Sequence, residues 1–368
     1  MKPTAFLSSR VERLDKIHDG KRSVVYRARL RESKRPVIAK VLRGPYPSPE
    51  QQSRFRREYE VGRALHGPHI IETIALETGE DTLAILMEDC GAESLAGRGP
   101  LELGEFLPLA RDIVLGLAHI HACAVAHRDI NPSNIVWNRG RKLVKIIDFG
   151  ISRAVSRESL ELDPNVDPHL ERGFEGTLAY ISPEQTGRIN RSVDHRTDLY
   201  SLGVTFYELL TGQRPFAGED AMELIHAQIA RVPVAPHERR ASVPRPLSDL
   251  VMKLLEKNPA DRYQSASGVN ADLEECSARH ARTGHIAGFE LARRDTAARL
   301  QLPQGLYGRD HEFASLRNAL ARSAAGRSQI ALVSGYSGIG KTRLVRELRG
   351  PTAALGGYFV SGKFEQFR

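Results

Sequence analysis

The stretch His127-Arg128-Asp129-Ile130-Asn131-Pro132-Ser133-Asn134, followed after two short apolar runs by Asp148-Phe149-Gly150, decides how this chain reads. It places two aspartates and an asparagine on the loops around short strands. The runs between them, 134–138 and 143–147, have strand length and composition. Upstream, Phe106, Leu109, Ile113, Val114, Leu117 and Ile120 recur at helical spacing and predict one buried face. Downstream, 198–210 is apolar almost all round, as in a helix buried in a larger lobe, and Gly212 is placed to cap it. Further helices are expected near 219–230 and 247–257.

Toward the N-terminus the character changes to short strands and one helix. Residues 24–28 and 37–41 read as a hairpin, and 82–88 as a further strand. The breaker Gly44-Pro45-Tyr46-Pro47-Ser48-Pro49 ends in a helix start, a capping hydroxyl followed by proline, and the helix should run to Leu65 before His66-Gly67-Pro68. Toward the other end, 277–304 reads as a linker with some helical content, and a new α/β pattern opens at Leu306.

The chain's 368 residues suggest about two domains. Its 41% apolar and 27% charged residues fit packed cores rather than disorder. No apolar run reaches the ~18 residues of a membrane span. Residues 1–10 lack the apolar core of a secretory leader, so a cytoplasmic location is expected. Cys90, Cys123 and Cys276 are far apart, which argues against a disulfide framework and a zinc site. His119 and His121 would point to different faces of one helix and are not read as metal ligands, and Trp137 is read as packing. Residues 1–66 hold 17 Lys+Arg against 7 Asp+Glu. With no nucleic-acid motif beside that charge, it is read as a solvated basic face and no nucleic-acid partner is expected.

Lys40 on a strand, His127-Arg128-Asp129 with Asn134, and Asp148-Phe149-Gly150 are each weak signals, but their order and spacing resemble the bacterial eukaryotic-like serine/threonine protein kinases over 14–280. Ser182-Pro183-Glu184, Asp198 and Arg262 extend the resemblance. It implies an α+β, bilobal fold, with a small β-rich lobe and a large helical lobe, and an enzyme that passes the γ-phosphate of ATP to serine or threonine hydroxyls of a protein substrate, possible substrates including the chain itself. Lys40 would meet the α- and β-phosphates, held by Glu58; Glu60 competes but lies roughly 200° around the helix. Asp129 would take the hydroxyl proton, with Arg128 beside it seeking an anion from the activation segment. Asn134 and Asp148 would hold Mg²⁺. Gly20 and Val25 would cover the nucleotide, and Met87, Glu88 and Cys90 would form the hinge that reads adenine. Phe149 and Gly150 complete the second motif. Thr177 resembles a substrate-positioning threonine, Ser152, Ser156 and Ser159 join it as candidate phosphosites, and Glu184 with Arg262 reads as a structural pair.

The sequence departs from this pattern in three places. The glycine-rich loop keeps only Gly20, with His18 and Ser23 at the flanking glycine positions. Asn131 stands where these kinases usually place a lysine, and Gly62 where they pack a large apolar residue. A nucleotide-binding pseudokinase that signals by conformation is therefore the alternative. A small-molecule kinase is disfavoured by Asp148-Phe149-Gly150, Ser182-Pro183-Glu184 and Arg262, and a P-loop switch with a degenerate kinase appendage remains a further reading.

Residues 312–321 are expected to form a helix and 329–333 a strand. Then Gly335-Tyr336-Ser337-Gly338-Ile339-Gly340-Lys341-Thr342 is a P-loop, whose Gly335, Gly338 and Gly340 free the backbone to cradle phosphate while Lys341 reaches it and Thr342 holds Mg²⁺. The order of kinase, Gly308-Arg309-Asp310, P-loop and 357–364 resembles bacterial multidomain proteins that join a serine/threonine kinase, an AAA ATPase and a sensor histidine kinase. The resemblance implies downstream ATPase or histidine-kinase modules, of which this chain would be an N-terminal fragment or truncated member. The expected organisation is an extension (1–13), a kinase domain (14–280), a linker (281–304) and an incomplete P-loop NTPase domain (305–368).

Overall fold

A computed structural model describes residues 7, 9–20, 22–44, 47–79, 82–150, 153–154, 178–188, 193–218, 220–295, 310–334, 341–348, 351–352, 355 and 357. The chain divides into two units, Met1–Ala298 and Arg299–Arg368.

The first unit opens with strands β1 (Val11–Asp19), β2 (Ser23–Leu30), β3 (Pro36–Leu42), β4 (Thr73–Thr78) and β5 (Leu83–Glu88), in an antiparallel sheet of order β1-β2-β3-β5-β4. The first strand begins inside the stretch set apart as an extension. Period-two alternation gives the sheet two apolar faces. Val37, Ala39, Val41, Ala84 and Leu86 share one cluster, while Leu42, Leu83 and Ile85 share another with Phe55. Helix α1 (Pro49–Ala64) supplies Phe55. It starts as read: Ser48 accepts from the Gln51 backbone, and the Gln51 side chain accepts from Ser48 N–H. Phe55, Glu58 and Gly62 are its buried residues, at one face of the helix, while Glu60 is exposed.

The larger lobe is built on α2 (Leu103–Ala122) and α3 (Arg196–Thr211). Helix α3 is buried over nearly its whole length and ends on Gly212 at φ 76°, a left-handed cap that suits glycine. Short strands β6 (Glu93–Ser94), β8 (Ile135–Asn138) and β9 (Leu143–Ile146) form one sheet, and β7 (Val125–Ala126) pairs with β10 (Arg153–Ala154). Helices α4 (Ala221–Ala230), α5 (Pro236–Arg239), α6 (Arg245–Leu254) and α7 (Ala266–Thr283) complete it. Helix α7 was not read from the sequence, and the chain beyond it folds back. Ile286 is fully buried, Asp272 accepts from Ala292 N–H at 2.7 Å, and Asp295 accepts from Gln264 N–H and Ser265 Oγ. So 286–295, within the stretch read as a linker, packs against the lobe.

In the second unit, α8 (Asp310–Ala324) covers the expected helix at 312–321, and α9 (Lys341–Arg346) starts at the P-loop lysine. The expected strand at 329–333 does not form: it is irregular and exposed, with Ile330 and Leu332 in solvent. A lone apolar strand needs neighbours for its backbone groups, and no partner strand exists among the described residues of this unit.

Gly62 shows why the expected bulky residue is missing from α1. A Cβ there would lie 2.5 Å from Thr73 Oγ1, with Phe149 3.6 Å away, so Thr73 fills the space. Gly62→Ala should therefore destabilise the unit by about 1–3 kcal/mol. Thermal unfolding followed through the chain's single tryptophan, Trp137, measures it. Thr73→Ala in the same chain should recover most of the lost midpoint.

Candidate active site

Strand alternation turns Lys40 to the face of the sheet that α1 covers. There its ammonium meets Glu58 at 2.6 Å and Asp148 at 2.9 Å. The expected Lys40–Glu58 pair thus forms, and Glu60 takes no part. Burial alone would lower Lys40, but Asp148 and Glu58 raise it above the ordinary lysine range. Burial pushes Glu58 up to about 7, helped by Asp148 and opposed by Lys40. Burial also acts on Asp148, yet Lys40 overrides it and holds this carboxylate below its usual range. Two acids share one cation, and Glu58 is the one that takes up a proton first. Asp148 adopts φ 67° and accepts from Gly150 N–H at 3.1 Å. Arg54 donates to the Gly150 carbonyl, tying this turn to α1.

The 127–134 loop is hung on Asp198, in the first turn of α3 and wholly buried. Its carboxylate accepts from His127 N–H at 2.8 Å, Arg128 N–H at 2.6 Å and His121 Nε2 at 2.8 Å. Burial would raise Asp198, but His121, His127 and the Arg128 amide bring it below the ordinary carboxylate range. Arg128 sits at φ 68°, and its carbonyl accepts from Gln185. His127 accepts from Asp129 N–H through Nδ1 and packs edge-on against Phe149.

Asp129 is gripped by two amides. Asn131 Nδ2 donates to Oδ1 at 2.8 Å and Asn134 Nδ2 donates to Oδ2 at 2.9 Å. Burial raises Asp129, Asp148 adds to this, and His127 and the two amides oppose it, leaving the carboxyl above its ordinary range. Beside it a cavity of about 290 Å³ is lined by Asn131, Asn134, Tyr180, Glu208 and Arg214 as well as Asp129. This space is large enough for a side chain carrying a hydroxyl to approach Asp129.

Gly20 lies in the β1–β2 turn, its N–H bonded to Ser23 O and its carbonyl to Arg43. Val25 pairs with Lys40 across β2 and β3. At the hinge, the Glu88 carboxylate is occupied by Glu72 N–H and Lys145, and the Cys90 carbonyl by Asn138 Nδ2. Met87, the residue before the end of β5, packs against the apolar clusters of both lobes. Glu184 and Arg262 form a two-pronged buried pair at 2.7 and 2.8 Å. Thr177, Ser152, Ser156 and Ser159 lie outside the described residues, as do Gly335, Gly338 and Gly340. Lys341 opens α9 and Thr342 follows it there. Asn138, Lys145 and Gln185 were not singled out from the sequence, since a single polar residue on a strand or turn gives no signal of its partner.

The donor set fits a metal–nucleotide ligand. Asp148 is still 37% exposed at its side chain, and Asn134 spends its amide nitrogen on Asp129, which leaves its oxygen for a hard cation. A two-lobed fold with a carboxylate-held lysine, an aspartate gripped by amides and hard oxygen donors nearby is the arrangement of a phosphotransferase of the kinase type. Residues 11–273 match the protein kinase domain family, and the chain belongs to it. Residues 305–368 match the AAA ATPase domain family. Among relatives, the hybrid signal transduction histidine kinase G of Dictyostelium discoideum is 35% identical over 350 residues, covering 73% of this chain and 10% of its own length. A probable serine/threonine-protein kinase of Clostridium perfringens is 31% identical, covering 73% and 38%. The serine/threonine-protein kinase PknB of Mycobacterium tuberculosis is 34% identical, covering 74% and 44%. The chain thus spans less than half the length of each.

Asp198→Ala would leave two backbone N–H groups and the His121 imidazole without an acceptor, at a cost of about 3–5 kcal/mol, whereas Asp198→Asn keeps one oxygen and should lose less. Because the folded carboxyl is depressed, its contribution is present above the unfolded value and lost as pH falls through the folded one. Thermal midpoints across acid pH should show that limb in the wild type and a weaker one in Asp198→Asn.

Proposed function

We propose that the chain is an ATP-dependent serine/threonine protein kinase, and the observation that carries this is Asp129, with both carboxylate oxygens oriented by amides and a cavity at its side, in a fold that also gathers Lys40, Glu58 and Asp148. Lys40 positions the α- and β-phosphates, Asp148 and Asn134 hold Mg²⁺, and Glu88 C=O with Cys90 N–H reads adenine. Mg²⁺ supplies charge neutralisation across the phosphates. The acceptor hydroxyl oxygen bonds to the γ-phosphorus, the bond to the ADP oxygen breaks, and the hydroxyl proton passes to Asp129. Arg128 offers its cation to an anion on the activation segment, where Thr177 positions substrate. Glu184 and Arg262 brace that segment's end.

Similarity to serine/threonine-protein kinases supports the choice of acceptor. The P-loop glycines with Lys341 and Thr342 support a second ATP–Mg²⁺ site in the AAA segment. The name of the Dictyostelium relative supports a place in signalling alongside histidine-kinase modules. No helix among the described residues is long and apolar enough to cross a membrane, which is consistent with the cytoplasmic location proposed here.

The test is transfer of radiolabelled γ-phosphate from ATP with Mg²⁺, to the chain itself and to a generic basic protein. Asp129→Asn should lower transfer by about 10²–10⁴-fold with nucleotide still bound, Lys40→Met should abolish it, and Lys341→Ala should leave it unchanged. Wild-type protein that binds nucleotide and transfers no label would establish the pseudokinase alternative instead.

A further inference from the structure

Asn131 stands where the related kinases place a lysine, and its side chain is accounted for in full. It is 4% exposed. Nδ2 donates to Asp129 Oδ1 at 2.8 Å and to the Asp129 carbonyl at 3.1 Å, while Oδ1 accepts from Ser133 N–H at 2.9 Å. That last bond caps the turn Pro132–Asn134, whose proline presets its first position. Both amide protons and the amide oxygen are thus committed inward. An amide held this way has no donor left for a phosphate, so Asn131 is no substitute for the missing cation.

We infer that Asn131 is a positioning residue for the base: with Asn134 it fixes the plane of the Asp129 carboxylate, one amide on each oxygen, so that a remaining lone pair on that carboxylate is aimed at the acceptor hydroxyl. A carboxylate oxygen has two acceptor directions, and one amide on each leaves one on each for the incoming proton. The same donors favour the ionised form, against burial and the nearby Asp148. Where a lysine contributes charge at the phosphate, Asn131 contributes order at the base.

This inference rests on the phosphotransferase reading. Asn131→Ser separates its two tasks, because a serine hydroxyl can still cap Ser133 N–H but is too short to reach the Asp129 carboxylate. With full-length protein and radiolabelled ATP, Asn131→Ser should keep the wild-type thermal midpoint and a KM for ATP within about twofold. Its kcat should fall by about 10- to 100-fold. Asn131→Asp keeps the cap and sets a second carboxylate against the first in place of a donor, so its kcat should fall at least as far as that of Asn131→Ser. An active wild type whose kcat is matched by Asn131→Ser overturns the inference and leaves the kinase reading standing. A wild type that binds ATP and transfers nothing overturns both.

Discussion

The carboxylate of Asp198, fully buried at the start of α3, accepts two consecutive backbone N–H groups and one imidazole, and the catalytic loop has its shape because of it. A charge without water is costly unless every lone pair finds a donor, and here the donors are the groups that need fixing. The helix N-terminus adds a favourable dipole. This anchor holds Arg128 at a positive φ that a non-glycine residue does not choose on its own, and so turns Asp129 away from the core. The Glu184–Arg262 pair fastens the same turn of α3 from the other side: Thr197 Oγ1 donates to Glu184, and Arg262 donates to the Arg196 carbonyl. The 127–134 loop and Glu184 are thus both fastened to one helix end.

The second constraint runs between the lobes. Lys40 belongs to the sheet, Glu58 to α1 and Asp148 to the turn after β9, yet one ammonium serves both carboxylates. The arrangement is electrostatically unsettled, since one acid is depressed and the other raised. A cation drawn to Asp148 would relieve the competition for Lys40, which makes the cluster receptive to a metal-bound nucleotide.

Those parts of this architecture that rest on local chemistry were legible in the sequence. Ser48 before Pro49 gave the start of α1, helical spacing separated Glu58 from Glu60, and the apolar run before Gly212 gave α3 with its cap. What could not be read depends on where side chains meet after folding. Nothing in the sequence near Gly62 shows that Thr73, eleven residues on, fills its space. The role of Asn131 was hidden for a related reason: read against a family pattern it is a lost lysine, while its local meaning, a cap before proline, is only half its bonding. Segment 286–295 lacks periodicity because single residues, Ile286 and Asp295, hold it. The 329–333 run has strand composition, but a strand is a property of a sheet and its neighbours decide it.

The three departures from the kinase pattern bear on whether the site is built to act. At each, the neighbourhood is adjusted to the residue present. Arg43, just past the end of β3, donates to the Gly20 carbonyl and pairs with Asp19 at 3.2 Å, so it reaches both ends of the position where the flanking glycines are replaced. Thr73 occupies the space that Gly62 opens beside Phe149, and that ring keeps its contact with His127. Asn131 gives all of its hydrogen-bonding capacity to the base and to the turn that carries it. A site released from catalysis has no physical need to keep a part-buried carboxylate gripped on both oxygens next to a residue at positive φ, because such an arrangement costs stability and is repaid only when something reacts there. The matched adjustments therefore weigh toward a site that transfers phosphate by a rebalanced division of labour, with less charge at the phosphate and more order at the base.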